Sequence, residues 1–393
     1  MRRSARLALA AGAAAAGAAA VRPVLDAAVA RVEARMNPVW TGDAPRVSDE
    51  ARALHASLRV ADLHADSLLW GRDLLERGTR GSVDVPRLVE GNVALQVLAM
   101  AVKTPRGLNI ERNEDTSDQV LPLALAKRWP RSTWGRMLPR VRHLALQAHA
   151  LEARAQGAFR LVTSQADLAA YLAAREARGG MTAGLLAIEG AHALDDDPRN
   201  LDAVYDLGVR MISPAHFFDT AFGGSAHGAE QGGLTVRGRE LLEAMEARGV
   251  LFDVAHASAR TIDDALAIAT QPIVASHTGV RGVLDNARNL SDAHLEGIAA
   301  TGGLVGIGFW DTACGGRDVA SIARSIAYAV DRIGADHVSL GSDWDGAVGV
   351  PFDAANTVLL TGALLDAGLD AATIRGVMGE NVLRLLAATL PAA

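Results

Sequence analysis

The chain has 393 residues, 50% apolar, 21% charged and 4% aromatic, enough apolar material for one large core and too much for a mainly disordered chain. Its 39 basic and 45 acidic residues leave a net charge of -6 with no Lys/Arg run, so no nucleic-acid partner is expected. The single cysteine, Cys314, excludes an internal disulfide and a multi-thiolate site, so any metal must be held by the eleven histidines and the carboxylates.

Arg2, Arg3 and Arg6 precede an uncharged, Ala-rich stretch from Leu7 to Val21, with small residues at Ala18, Ala19 and Ala20. That pattern reads as an export signal, cleaved or retained as a membrane anchor, and places the protein in the periplasm or on the outer face of a membrane. The stretch is shorter than the ~20 residues of a comfortable bilayer span. The residues after the Arg2-Arg3 pair do not complete a twin-arginine motif, and an Ala-rich first helix of a cytosolic protein is the plainer alternative. Helical spacing of apolar residues from Pro23 to Met36 suggests a stalk. Residues 1–40 are therefore set apart as signal or anchor plus stalk, and residues 41–393 form the domain.

Beyond residue 40, short β-branched or apolar runs alternate with longer segments of helical period, the pattern of βα units around a parallel sheet. The runs are Leu58 to Leu63, Val93 to Val102, Ala183 to Ile188, Gly208 to Ser213, Val250 to Val254, Pro272 to Ala275, Leu304 to Phe309 and Val338 to Leu340. Eight such units predict an α/β fold of the TIM type, a (β/α)8 barrel. An insertion at about residues 103–180, between the second and third strands, reads as helical decoration. Within it Arg131 to Gln156 has helical period, and Ser164 with Asp167 forms a cap signature. A last helix is expected from about Ala371 to Leu390.

Seven of the eight runs are followed by a residue suited to metal or proton chemistry: His64 and Asp66, Lys103, Glu189, His216, His256, His277 and Asp343. In a barrel these positions converge on one face. His64 and Asp66, two apart at a strand end, leave the same side of the chain and can share an ion. Glu189 ends a buried run, and Gly190 after it permits a sharp turn; a carboxylate buried there must be paired or bound to metal. Each residue has a plainer reading on its own, as a polar turn or a hydrogen-bonded structural histidine. Together, His64, Asp66, Glu189, His256 and His277 supply five N/O ligands, enough for two zinc-like ions about 3.5 to 4 Å apart if Glu189 bridges them. The absence of thiolates suits a catalytic rather than a structural zinc site.

At this point the chain resembles the membrane (renal) dipeptidases of the amidohydrolase superfamily. The residues that carry the likeness are Asp62-Leu63-His64-Ala65-Asp66, Ile188-Glu189-Gly190, Ser213-Pro214-Ala215-His216, Phe222-Gly223-Gly224-Ser225, Gly233-Leu234-Thr235, Asp253-Val254-Ala255-His256-Ala257-Ser258, Ser276-His277, Ala287-Arg288-Asn289-Leu290, Gly341-Ser342-Asp343-Trp344-Asp345-Gly346 and Gly379-Glu380-Asn381-Val382-Leu383-Arg384. The resemblance implies two Zn2+ per chain, one on His64 and Asp66, the other on His256 and His277, with Glu189 between them. It implies that His216 and Arg288 contact substrate, that Asp343 handles the proton, that L-D as well as L-L dipeptides are cleaved, and that the protein is a homodimer. The Pro214-Ala215 pair before His216 and Thr278 after His277 depart from the family's usual residues, which leaves the pocket shape open.

The mechanism expected from these assignments is attack by a metal-bridging hydroxide, with Asp343 accepting its proton and returning it to the leaving amine. His216 serves the carbonyl oxygen and Arg288 the terminal carboxylate. Asp343 as a carboxylate that merely orients a metal-bound histidine, and Arg288 as a surface ion-pair former, are the competing readings. Asp253 is expected to orient His256 or cap a turn, and Asp345 to be structural; Cys314 has no identified base, and the glycines at 223 and 224 suit either a substrate loop or a simple turn. The same site could serve another small amide, lactam, lactone or acyl-amino acid, or the barrel could be an inactive binding protein.

Overall fold

The computed structural model describes residues 22–40 and 46–393. The export-signal segment lies outside the described residues, and no helix within them is long and apolar enough to cross a membrane.

Nine strands form one parallel sheet: β1 (Val60–Ala65), β2 (Val93–Ala101), β3 (Phe159–Leu161), β4 (Thr182–Glu189), β5 (Val209–Ile212), β6 (Leu251–Asp253), β7 (Ile273–Thr278), β8 (Leu304–Ile307) and β9 (Val338–Leu340). Their order runs β2-β1-β9-β8-β7-β6-β5-β4, and β2 pairs again with β4, so eight strands close into the expected barrel. Every residue of those eight is buried. Helices cover the outside and side chains fill the axis, which is why the strands read as continuous apolar runs rather than alternating ones. Along β2, Leu95, Val97 and Ala99 pack in one cluster while Leu98 and Met100 pack in another, and β4 divides in the same way. That is the two-residue period of a strand with both faces covered.

The insertion is not wholly helical. It carries helices Val120–Ala126, Leu138–Arg154 and Gln165–Arg178, but also β3, which pairs with the first residues of β4, Thr182 to Gly184. β5 takes the later residues of β4, from Leu186 to Ile188. Only two of β3's three residues are buried, too short a signal to stand out between helices. Ser164 does cap Gln165–Arg178: its hydroxyl accepts from Asp167 N at 3.0 Å. The last helix is interrupted. Ala371–Arg375 passes through a wide turn at Gly376–Glu380 before Asn381–Thr389, because Gly379 lies so close to β1 that a Cβ there would sit 1.9 Å from Arg59 O.

Residues 22–40, expected as a stalk, lie against the mouth of the barrel. Residues 22–36 are helical, and from within them Glu33, fully buried, pairs with Arg72 and Arg80 at 2.5 Å each. Asn37 Oδ1 accepts from Ala347 N at 2.7 Å, and Val39 bridges in parallel with Val350. Composition separated this segment from the barrel, but a buried carboxylate with two arginines ties it down.

Candidate metal centre

The eight barrel strands end at a cavity of about 380 Å³ whose lining includes Asp66, Glu189, His216, His256, Arg288 and Asp343. His64 and His277 stand within β1 and β7, and Glu189 is the last residue of β4. His256 and Asp343 follow β6 and β9 by a few residues, in turns the backbone makes under strain. His256 has φ 62°, Asp343 φ 58°, Asp345 φ 64° and Ala347 φ 65°, left-handed values that residues with a Cβ seldom adopt and that concentrate at functional sites. Gly190, at φ 93°, turns the chain after Glu189; a Cβ there would meet the His192 ring at 2.5 Å.

Glu189 is the centre of the group. Its Oε1 lies 3.1 Å from His256 Nε2, 3.4 Å from His277 Nε2 and 3.6 Å from His64 Nε2, and its Oε2 lies 3.3 Å from His216 Nε2. His64 Nε2 is 3.5 Å from Asp66 and 4.0 Å from Asp343. Three overlapping triads bring their ligand atoms within 4.8 Å of one another: His64–Glu189–His277, Glu189–His216–His256 and His64–Asp66–Asp343. All these side chains are buried.

Burial pushes His216, His256 and His277 well below the ordinary imidazole value, and Arg288 and the neighbouring imidazoles push the same way. These three are therefore neutral, the ligating form. Burial would also lower His64, but the carboxylates of Glu189, Asp66 and Asp343 outweigh it and hold the ring at about 10. Burial raises Glu189 well above the carboxylate range, and raises Asp343 to about 8 against the pull of His64.

The donor set fits divalent metal. His64 Nε2 and Asp66 Oδ1 are buried without a hydrogen-bond partner, and His256 Nε2 and His277 Nε2 face each other at 2.9 Å, an arrangement in which one of two neutral rings must present its proton to the other's lone pair. A cation among them satisfies all of these atoms at once. The supporting contacts are specific. Asp253 accepts from Ser276 N at 2.8 Å and Ser276 Oγ at 2.6 Å, and that hydroxyl lies 2.9 Å from His277 Nδ1. Asp253 also accepts from Ala255 N at 2.9 Å, capping the turn as one of its two sequence readings had it, and the histidine it orients is His277, through Ser276, rather than His256. Asp62 accepts from Ser342 N at 2.7 Å and Gln96 Nε2 at 2.6 Å, fixing β1 beside β9.

Arg288, buried, donates to His277 O at 2.6 Å with its guanidinium 5.5 Å from the Trp310 ring; burial lowers it to about 10. Lys103 stands apart, paired with Asp115 and 5.4 Å over Phe218. Asp345 is occupied by Ser67, Ser82 and Arg72. Cys314 is buried and raised to about 11, an inert thiol. Gly224 packs against Gly232, where a Cβ would sit 2.2 Å from its carbonyl oxygen, so the glycine pair serves a tight turn.

His227 and Trp310 line the cavity without having been singled out from sequence. Trp310 stands directly after the seventh predicted run, Leu304 to Phe309, at a position like those of the site residues after the other runs. His227, its Nδ1 2.7 Å from Ile110 O, is fixed by a loop of the insertion that sequence does not place.

The model of the family described as Membrane dipeptidase (Peptidase family M19) matches residues 48–392. An uncharacterized protein of Klebsiella pneumoniae, named for the pqqA 5' region, is 34% identical over 60% of this chain and 91% of its own length. Dipeptidase verJ of Clonostachys rogersoniana is 32% identical over 53% of this chain and 56% of its own. Among solved structures, the chain is similar to a metallopeptidase from Rhodobacter sphaeroides holding a phosphinate mimic of the dipeptide L-Ala-D-Ala, with TM-score 0.68, 26% identity, and coverage of 84% of this chain and 99% of that one. A structure described as dipeptidase AC, a metallopeptidase, gives TM-score 0.70 at 26% identity over 86% of this chain and all of the other.

Proposed function

Because the chain belongs to the membrane dipeptidase family, we propose that it hydrolyses the amide bond of free dipeptides, L-L and L-D, with two divalent ions, zinc in the native protein. The observation that carries this reading is the position of Glu189, one carboxylate within reach of four imidazoles at the floor of a cavity that also holds Arg288.

In this reading His64 and Asp66 would hold one ion and His256 and His277 the other, with Glu189 within reach of both sets. Such ions would supply Lewis acidity for the scissile carbonyl and for water at the site. Asp343, lining the cavity beside His64, takes the proton from water and gives it to the departing amine. His216 hydrogen-bonds the carbonyl oxygen as negative charge develops there. Arg288 pairs with the terminal carboxylate and so favours dipeptides over longer chains. The proximity of His216 to Glu189 and His256 supports a second role, as a metal ligand; His216→Ala separates the two, since a substrate contact leaves metal content intact. Tolerance of a D-residue is supported by the L-Ala-D-Ala mimic bound by the Rhodobacter sphaeroides relative. Export through residues 1–21 and a homodimeric assembly complete the reading.

The test is hydrolysis of free L-L and L-D dipeptides by the metal-loaded full chain, alongside N-blocked, C-amidated and lactam compounds. Cleavage confined to free dipeptides and abolished by chelation is expected. Arg288→Lys should raise KM for free dipeptides while barely changing any residual cleavage of amidated ones. Cleavage of lactams or acyl-amino acids in preference to dipeptides would replace this reading.

A further inference from the structure

Nine large apolar side chains are exposed among the described residues, and four of them, Val32, Met36, Leu108 and Ile110, line this one cavity. Apolar surface gathered at a concave site marks where a ligand will cover it. Leu69 and Leu123 continue the same wall inward. Of the other ionisable groups of the cavity, His227, tied to the wall through Nδ1 2.7 Å from Ile110 O, is held neutral by burial that lowers it to about 4, and Asp345 is already held by Ser67, Ser82 and Arg72. A charged substrate side chain against that wall therefore meets no free counter-charge, and burying it costs more than burying an aliphatic one.

Two of the wall residues come from outside the family match, which begins at residue 48. Val32 and Met36 are one helical turn apart and therefore share a face. Their helix is fixed on the barrel from three directions. Glu33, between them in sequence, is buried on Arg72 and Arg80. Arg72 in turn pairs with Asp345, two residues beyond Asp343. Asn37 Oδ1 accepts from Ala347 N, and Trp40 N donates to Val350 O at 2.7 Å. The N-terminal segment is thus stapled to the loop that follows β9, the loop that carries Asp343.

We infer that helix 22–36 is the outer wall of the substrate site, and that its Val32–Met36 face, with Leu69, Leu108, Ile110 and Leu123, selects dipeptides in which one residue has a bulky apolar side chain. The inference rests on the dipeptidase reading and adds to it the substrate class and a specificity element that lies outside the family match. Dipeptides with an acidic side chain in the same position are rejected.

The test compares kcat/KM of the metal-loaded full chain for Leu-Ala, Ala-Leu, Glu-Ala, Ala-Glu and Ala-Ala. At least one leucine dipeptide is expected to exceed Ala-Ala on the order of tenfold, the discrimination that added methylenes give in an apolar pocket. Both glutamate dipeptides should fall below Ala-Ala. Met36→Asp and Val32→Asp, each at a partly exposed position, should lower the leucine-to-alanine ratio about tenfold, and Met36→Leu should keep it. Calorimetric titration with phosphinate mimics of the same dipeptides should give the same order without turnover. A wild-type ratio near one for both leucine dipeptides refutes the apolar selectivity. A high ratio left unchanged by Met36→Asp and Val32→Asp refutes the wall assigned to this helix. Cleavage of none of the five dipeptides brings down the dipeptidase reading itself, and the inference with it.

Discussion

The two ends of the barrel treat buried polar groups differently. At the N-terminal end of the strands side-chain amides and a phenol are matched, although Thr182 Oγ1 at the start of β4 and Ser339 Oγ in β9 are not. Asn381 Nδ2 donates to Ala335 O at 2.7 Å and Val338 O at 2.8 Å, Asn92 Nδ2 to His55 O and Leu58 O, and the Tyr171 hydroxyl to Ala94 O. At the C-terminal end His64 Nε2, Asp66 Oδ1, His216 Nδ1 and His256 Nδ1 have no partner, and His256 and Asp343 sit at positive φ. An unmatched buried group costs roughly 1–3 kcal/mol, so the crowding of such groups among the histidines and carboxylates of the second end works against stability. The second holds unspent valence for a ligand, and four substitutions should keep the two apart.

The largest effect should come from Glu189→Gln, which removes a negative charge shared by four imidazoles. Metal content, read by elemental analysis, and turnover should both fall to background; retention of metal would remove Glu189 from the centre of the site. Asp343→Asn comes next, lowering kcat by about 10²–10⁴ with metal content intact, the usual contribution of a positioned acid/base. Equal loss of metal would make it a structural carboxylate. At the other end, Asn381→Ala strips the donor from two carbonyls and should cost about 2 kcal/mol in urea unfolding, while kcat/KM per folded molecule stays unchanged.

The smallest effect is a pH dependence at His55, which burial holds below the ordinary imidazole value of 6.5. The unfolded chain takes up a proton near 6.5 and the folded one only at lower pH. The stability from the neutral ring is therefore complete above 6.5 and is lost as pH falls from there towards the folded value. Comparing wild type with His55→Gln cancels the titration of the metal site. The urea midpoint of wild type should drop more between about pH 7.5 and 5.5 than that of the variant; parallel losses would contradict a depressed His55.

The barrel was legible because its strands are buried on both faces, and an apolar run bounded by polar turns has no other economical home. Glu189 and the histidines were legible because each stands at the end of such a run. The turn capped by Asp253 was legible, but its link to His277 was not, because Ser276 comes from the next strand through a register that no single sequence displays. The surface on which residues 22–40 pack was not legible for a similar reason. Amphipathic spacing shows that a helix will bury one face, not what it is buried against, and Arg72 and Arg80 lie far along the chain. His227 and the apolar wall at Leu108 and Ile110 depend on the irregular part of the insertion, where no periodicity constrains position.

The pairing of β1 with β9 also orders events in time. Asp62 accepts from Ser342 N across 280 positions, and Ser342 Oγ donates to His64 O at 3.0 Å. A ribosome delivers His64 and Asp66 early in translation and Asp343 near its end. Until β9 emerges, β1 presents an open edge to whatever strand it meets, including that of another nascent chain. The five candidate metal donors are therefore all made by His277, but the site is complete only when β9 has delivered Asp343 beside His64.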